Sequence, residues 1–360
     1  LIRYFYYLIL LNMLANIVLF VPGIFISRRF EGSILSVAIA VPIGYALIQV
    51  FMRALSAFPG QGFPEILRDT LPNWLGKPIL VLFIGMWFSA GSLTLVTFTS
   101  MITTFINPDI PSWLTLFSLL CIVALIARLS SDSVLYTMEI LLVLSTPMIM
   151  WILYKSLLNP SFRYDAVFEI VSHFRHWPTL DTLSAGTYIF TGYVNMIIFN
   201  RLFGPLTKLR FLWAVPIVGC GVLLTSFLIP IGMQGTIAVG DYTFIWSSTT
   251  DSMRIEFGIV ERVMFIFILL YSCISVAGTF IHWHVGLEMT KGLLPGLSKS
   301  RYFTWIAVGF FSAVTLIFNW YMDHHILDMV GRMWIELRFI SEMALVALIF
   351  LLARRKRRLC

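Results

Sequence analysis

Ten apolar runs fill most of this chain, and no other feature restricts its fold as much. They cover residues 4–26, 33–57, 78–106, 112–127, 139–158, 183–199, 211–232, 258–281, 302–321 and 335–353. About 20 mostly apolar helical residues cross the hydrocarbon core of a bilayer, so each run is read as a span. The fourth and sixth are short, and the last could begin earlier, near Ile326. Charged residues are 12% of the 360 and apolar residues 59%, whereas a soluble domain carries about 25% charge. A soluble fold of this length could not hide so much apolar surface. Soluble enzyme, nucleic-acid binder and disordered scaffold are excluded. The sequence predicts an all-α polytopic membrane protein, one transmembrane domain over residues 1–360 with about ten transmembrane helices.

Ten spans put both ends on one side, and the distribution of Lys and Arg decides which. With the N-terminus inside, 16 of the 25 basic residues and only 5 of the 18 acids fall on that side. Both termini are therefore expected in the cytoplasm, and the segments 155–181 and 233–257 outside, each with room for short helices. Trp177 and Trp246 read as interfacial anchors. The first run is too long for a signal-peptide core. Three of the four cysteines, Cys121, Cys220 and Cys273, lie inside apolar runs and the fourth is Cys360, so there is no disulfide framework.

Ten helices suggest a five-plus-five inverted repeat, 1–158 and 183–353 joined by 159–182, the plan of many secondary transporters. In that plan the first helix of each half is broken near the midplane and its freed backbone groups bind substrate. The matching helices are the first, with Asn16 followed by Pro22-Gly23, and the sixth, with Phe190-Thr191-Gly192-Tyr193-Val194-Asn195. Asn in hydrocarbon is costly unless it meets a partner or a cavity; close helix packing by Asn and Gly is the alternative reading. A ligand pocket is expected between Asn16, Val18, Phe20 and Pro22 on one side and Phe190, Thr191, Gly192, Tyr193 and Asn195 on the other, walled by Ser89, Ser92 and Tyr271. With no buried acid or base foreseen nearby, a small zwitterion held mainly through backbone groups fits, and Gly192 is expected to leave room for it.

His282-Trp283-His284 and His324-His325 fall on opposite sides of the expected topology, so a shared metal is not expected, and they read as interfacial polar residues. No HExxH, GxSxG or phosphate-binding loop occurs, and no cofactor or enzymatic activity is expected. Glu342 is the deepest acid, with Arg338 one turn earlier on the same face; a neutralised pair is expected, a proton relay being the other option. The segment 58–77, rich in Pro and Gly around Phe63-Pro64-Glu65-Ile66-Leu67, reads as a short amphipathic helix on the cytoplasmic surface.

Several of these stretches look familiar together. Phe58-Pro59-Gly60 through Leu67, then Leu75-Gly76-Lys77, resembles the segment after the second helix in the B-subunit family of spore germinant receptors, within the amino acid–polyamine–organocation transporter superfamily. Glu31-Gly32-Ser33-Ile34, Phe190-Thr191-Gly192-Tyr193, and Trp246 followed by Glu261-Arg262 are similar to further family segments, in order over most of the chain. The chain departs from the family at Ala15-Asn16-Ile17, where Gly-x-Gly is usual, and at Val194, where an acid is frequent. The resemblance implies a nutrient-binding subunit with a permease fold in a spore inner membrane, working beside an A-type membrane subunit and a C-type lipoprotein. A secondary amino-acid transporter of the same fold is the other reading.

Overall fold

The computed structural model describes residues 2–204, 209–254, 261–300 and 302–359. Among these the chain is helical, with only an isolated bridge between Arg254 and Arg262. The helices are α1 (Ile2–Asn16), α2 (Phe20–Ser27), α3 (Ser33–Leu55), α4 (Phe63–Thr70), α5 (Asn73–Phe105), α6 (Ser112–Ala127), α7 (Ser131–Leu157), α8 (Tyr164–Ser172), α9 (Leu180–Tyr188) and α10 (Met196–Phe199). They continue as α11 (Ala214–Gln234), α12 (Ile245–Asp251), α13 (Val263–Leu293), α14 (Phe303–Tyr321) and α15 (His324–Leu359). Short 3-10 turns join several of them, the most important being Thr191–Asn195 between α9 and α10.

Among the described residues six helices, α3, α5, α7, α11, α13 and α14, are long and apolar enough to cross a bilayer. A seventh span is the pair α1 and α2, bent by 53° at its break. The protein is an all-α polytopic membrane protein. Of the other three expected passes, α6 is apolar but only 16 residues long. The pass made by α9 and α10 is interrupted, and α15 carries Arg332, Glu336, Arg338 and Glu342 along its length. Gly258, the expected start of the eighth span, lies outside the described residues, as do Lys208 and Arg301.

Apolar surface gains nothing by leaving lipid for another helix, so close packing and buried hydrogen bonds hold the bundle. α13 is its axis: 72% of its apolar window is buried, against 17% for α14 on the periphery. α13 packs tightly on α5, where Gly91 lets the Trp283 ring approach; a Cβ there would lie 2.6 Å from that ring. Hydroxyls link distant helices, Ser36 to Thr182 at 2.7 Å and Ser226 Oγ donating to the Ile17 carbonyl at 2.8 Å.

Polar contacts gather at two ends. One end joins Arg3 to Glu139, Arg201 to Glu65 and Glu288, and Arg357 to the Arg53 carbonyl. The other joins Arg28 to Asp181, Arg332 to Ser27, and Ser100 to His324. Residues expected on opposite sides of the membrane are thus not mixed in these contacts. The first end also carries α4, whose apolar face buries Phe63, Pro64, Ile66 and Leu67. The other end carries α8, α12 and the exposed Trp177. Trp246 is not the expected interfacial anchor: it is 1% exposed, donates to the Ser226 carbonyl and stacks on Phe267, because α12 folds back onto α11 and α13.

Candidate functional site

Both expected interruptions are present. α1 stops at Asn16 because Pro22 has no N–H to bond back to Val18, and its ring clashes with that carbonyl. The chain therefore leaves the helix over residues 17–19 and resumes as α2. In the sixth pass α9 ends at Tyr188, and Thr191–Asn195 winds more tightly before α10. A helix end leaves carbonyls without partners. Asn12 Nδ2 meets that need by donating to the Tyr188 carbonyl, so one break is satisfied by the helix that holds the other.

Between the breaks lies a central chamber of about 10 Å³, bordered by Asn12, Asn16, Thr94, Tyr188, Asn195 and His282. That volume holds about one water at most. Asn16 is 2% exposed and donates through Nδ2 to the Asn12 carbonyl at 2.8 Å, while its Oδ1 accepts no hydrogen bond. Asn195 Oδ1 accepts from Trp87 at 2.7 Å. His282 Nδ1 faces the Gly278 carbonyl at 2.6 Å, which fixes the proton on that nitrogen and leaves Nε2 an acceptor in the neutral ring. The chamber thus offers acceptors to a ligand that carries N–H groups.

The expectation of no acid or base near the breaks is corrected. Arg338 and Glu342 of α15 form an ion pair with side chains 5% and 2% exposed, and the pair sits on the helix-six break. Arg338 donates to Thr191 Oγ1 at 2.9 Å, to Thr187 Oγ1 at 3.3 Å and to the Ser184 carbonyl. Glu342 accepts from Tyr193 at 2.8 Å and from Thr191 at 3.4 Å. The pairing at one turn's spacing was foreseen; its position was not, because about 150 residues separate the two segments. A buried charge needs both a counter-charge and hydrogen bonds; the Thr187 and Thr191 hydroxyls and the Ser184 carbonyl of α9, which also accepts from Thr187 Oγ1, supply them.

Above the chamber, toward the end that carries α12, a vestibule of about 430 Å³ opens between α2, α15 and the segment before α12. Val18, Phe20 and Pro22 line it, with Arg29, Asp241 and Asp328 among its polar groups. Thr97, on its wall, has an unpartnered hydroxyl. Leu19 borders both vestibule and chamber and separates them. A third cavity of about 40 Å³, which shares Tyr188 and His282 with the chamber, reaches Thr191, Val194 and the ion pair.

The twelve expected site residues are therefore divided. Asn16 and Asn195 meet at the chamber, Val18, Phe20 and Pro22 line the vestibule, and Thr191 lines the third cavity. Tyr193 faces Glu342 and packs edge-on against Phe51. Ser92 bonds Thr315 of α14 at 2.8 Å, and Ser89 accepts from Trp334 of α15 at 2.8 Å. Phe190 is wedged against Gly44 and Gly219. Tyr271 packs on Phe267, its ring centroid 4.6 Å away. Gly192 makes room for backbone, not for an open cavity: a Cβ there would meet the Leu8 carbonyl and lie 2.7 Å from Ile9 Cα.

Sequence reasoning missed Asn12, Thr94, His282, Arg338 and Glu342 as site residues. Asn12 had a signal, since it lies one turn before Asn16 on the same face. His282 was read as interfacial and borders the chamber instead; His284 is buried nearer the opposite end, bonded to Ser131 at 2.8 Å. Among the described residues no group of His, Cys, Asp and Glu could hold a metal ion.

The end opposite the vestibule is tied by charge. Arg201, just past the sixth pass, makes a two-pronged contact with Glu65 of α4 at 2.9 and 3.0 Å and a third bond to Glu288 of α13 at 2.7 Å. Lys291 joins Glu288 at 2.7 Å. α4 is thereby fixed beneath the sixth and eighth passes.

No individual curated protein matches the chain closely enough to lend it a function. The family model described as spore germination protein, of the spore permease type, matches residues 2–326, nearly the whole bundle with both breaks and α4. The chain is a member of the spore germination protein family, a permease-like family of multi-pass membrane proteins.

Proposed function

We propose that the chain is the nutrient-binding subunit of a spore germinant receptor, signalling when a small amino-acid-like ligand enters the chamber between the two breaks. The observation that carries this reading is Asn16 Oδ1: a buried acceptor without a donor, in a chamber flanked by both interrupted helices and lying under a 430 Å³ vestibule. An unmade buried hydrogen bond costs about 1–3 kcal/mol, and a ligand ammonium would recover it. The Arg338–Glu342 pair is neutral as a unit, so a ligand of no net charge, such as a zwitterion, fits beside it. The 10 Å³ chamber cannot hold an amino acid as it stands. Binding requires it to widen, and a ligand that favours the widened state shifts the population of the whole subunit.

In this reading the halves 1–158 and 183–353 are the two repeats and the ends at Arg3 and Arg357 face the cytoplasm. An A-type membrane subunit and a C-type lipoprotein complete the receptor in the spore inner membrane. The chain performs no catalysis. The competing reading is a secondary amino-acid transporter, favoured by the run of adjoining cavities that share Leu19, Tyr188 and His282. The test is a panel of the protein amino acids against the purified protein, with binding measured in nanodiscs and uptake in liposomes. The receptor reading expects saturable binding weakened at least tenfold by Asn16→Ala, without uptake. Uptake would establish the transporter. Absence of binding by any member of the panel would sink both.

A further inference from the structure

The helix-six break holds a cation that belongs to the protein itself. The acceptors of the Arg338 guanidinium are all oxygens: the Ser184 carbonyl one turn before the C-terminal end of α9, the Thr187 and Thr191 hydroxyls, and one carboxylate oxygen of Glu342; the Tyr188 ring covers it at 4.9 Å. Backbone carbonyls of an unwound membrane helix and the negative end of a half-helix are the groups that coordinate a coupling cation in transporter folds. A carboxylate and two hydroxyls complete a hard oxygen set suited to an alkali ion. Here the position is filled by a charge tethered to α15, which cannot exchange with solvent.

We propose that Arg338 is a built-in substitute for an alkali cation at the helix-six break, so that the folded state and its response do not depend on Na⁺ or K⁺. Two consequences follow from the tether. α15 is bound to α9 and to the Thr191–Asn195 turn through one side chain, so the break cannot rearrange without moving α15. Removal of the guanidinium leaves Glu342 and the oxygens as a vacant cation site.

The test compares melting temperatures of purified wild type and Arg338→Ala in nanodiscs in NaCl, KCl and N-methyl-D-glucamine chloride at equal ionic strength. Wild type is expected to melt at the same temperature in all three. Arg338→Ala is expected to melt lower in the organic cation and to regain about 2–4 °C or more in Na⁺ or K⁺, since a ligand that binds only the folded state raises the midpoint. Adding Glu342→Gln to it should abolish that gain. A wild-type midpoint that rises with an alkali cation overturns the proposal. So does a deficit in Arg338→Ala that is equal in all three salts. Should that variant fail to accumulate, Arg338→Lys decides the matter. It keeps a tethered charge and is expected to be indifferent to the salt, whereas alkali dependence in the lysine variant overturns the proposal.

Discussion

Gly278 borders the chamber and Gly192 packs against the backbone of α1, so the same substitution should break different things at each. At Gly192 the added carbon would meet the Leu8 carbonyl and lie 2.7 Å from Ile9 Cα. Ordinary contact between carbons is about 3.5–4.0 Å, so α1 and the 3-10 turn must move apart by roughly 1 Å, and backbone cannot yield as a side chain can. Overpacking of this kind costs about 1–3 kcal/mol. At about 2–4 °C per kcal/mol for a large domain, Gly192→Ala should melt roughly 2–12 °C below wild type. Gly278 lies inside α13 and borders the chamber, and a Cβ there meets nothing within 4 Å. Gly278→Ala should keep or slightly raise the melting temperature, because alanine is the better helix former by about 0.5–1 kcal/mol. Its methyl group would occupy ligand space, and one methylene in a fitted pocket is worth about 10–200-fold in affinity. The assay is thermal melting in nanodiscs together with binding of whichever amino acid the panel identifies. A Gly192→Ala protein that melts like wild type would show that the Leu8–Gly192 contact is not tight, and a Gly278→Ala protein with unchanged affinity would show that ligand does not reach Gly278.

Glu342→Gln keeps acceptors for Tyr193 and Thr191 but leaves Arg338 buried without a counter-charge; a loss of about 3–5 kcal/mol is expected, read as a lowered melting temperature. Arg201→Ala should free α4, with roughly tenfold or greater acceleration of amide hydrogen exchange over residues 63–70, as expected when charged hydrogen bonds are lost. The half-saturating ligand concentration should stay unchanged, since these contacts lie at the end away from the vestibule. A cysteine at Ser298 or Arg355 should react with an impermeant maleimide only after the cell is opened, and one at Phe168 or Trp177 from outside; labelling of the tail in intact cells would reverse the assigned topology.

Much of the scaffold was readable because it follows from local rules. Apolar runs marked the spans, Pro22 announced the first break, and the Pro- and Gly-rich segment around Glu65 announced a short surface helix. The site was less readable, since its polar contacts cross great distances along the chain. Asn12 reaches the Tyr188 carbonyl and Trp334 reaches Ser89, pairings that no periodicity reveals. The sharpest miss was Arg338 and Glu342. Their spacing on α15 shows that they can pair, but not that the pair caps the helix-six break. Gly192 shows the converse limit: a glycine at a break can leave space for a ligand or for another backbone, and the sequence does not distinguish them.

In the proposed receptor, ligand binds between the two breaks and not in the vestibule above them. The most direct measurement is photolabelling of the purified protein with a diazirine-bearing analogue of the bound amino acid, the adducts being mapped by mass spectrometry. Adducts are expected on the stretches around Asn16, Thr94 and Gly278, which border the chamber, and excess unlabelled ligand should suppress them. Suppressible adducts confined to the vestibule rim around Asp241, Tyr242 and Asp328, with none on the chamber walls, would move the ligand site out of the chamber.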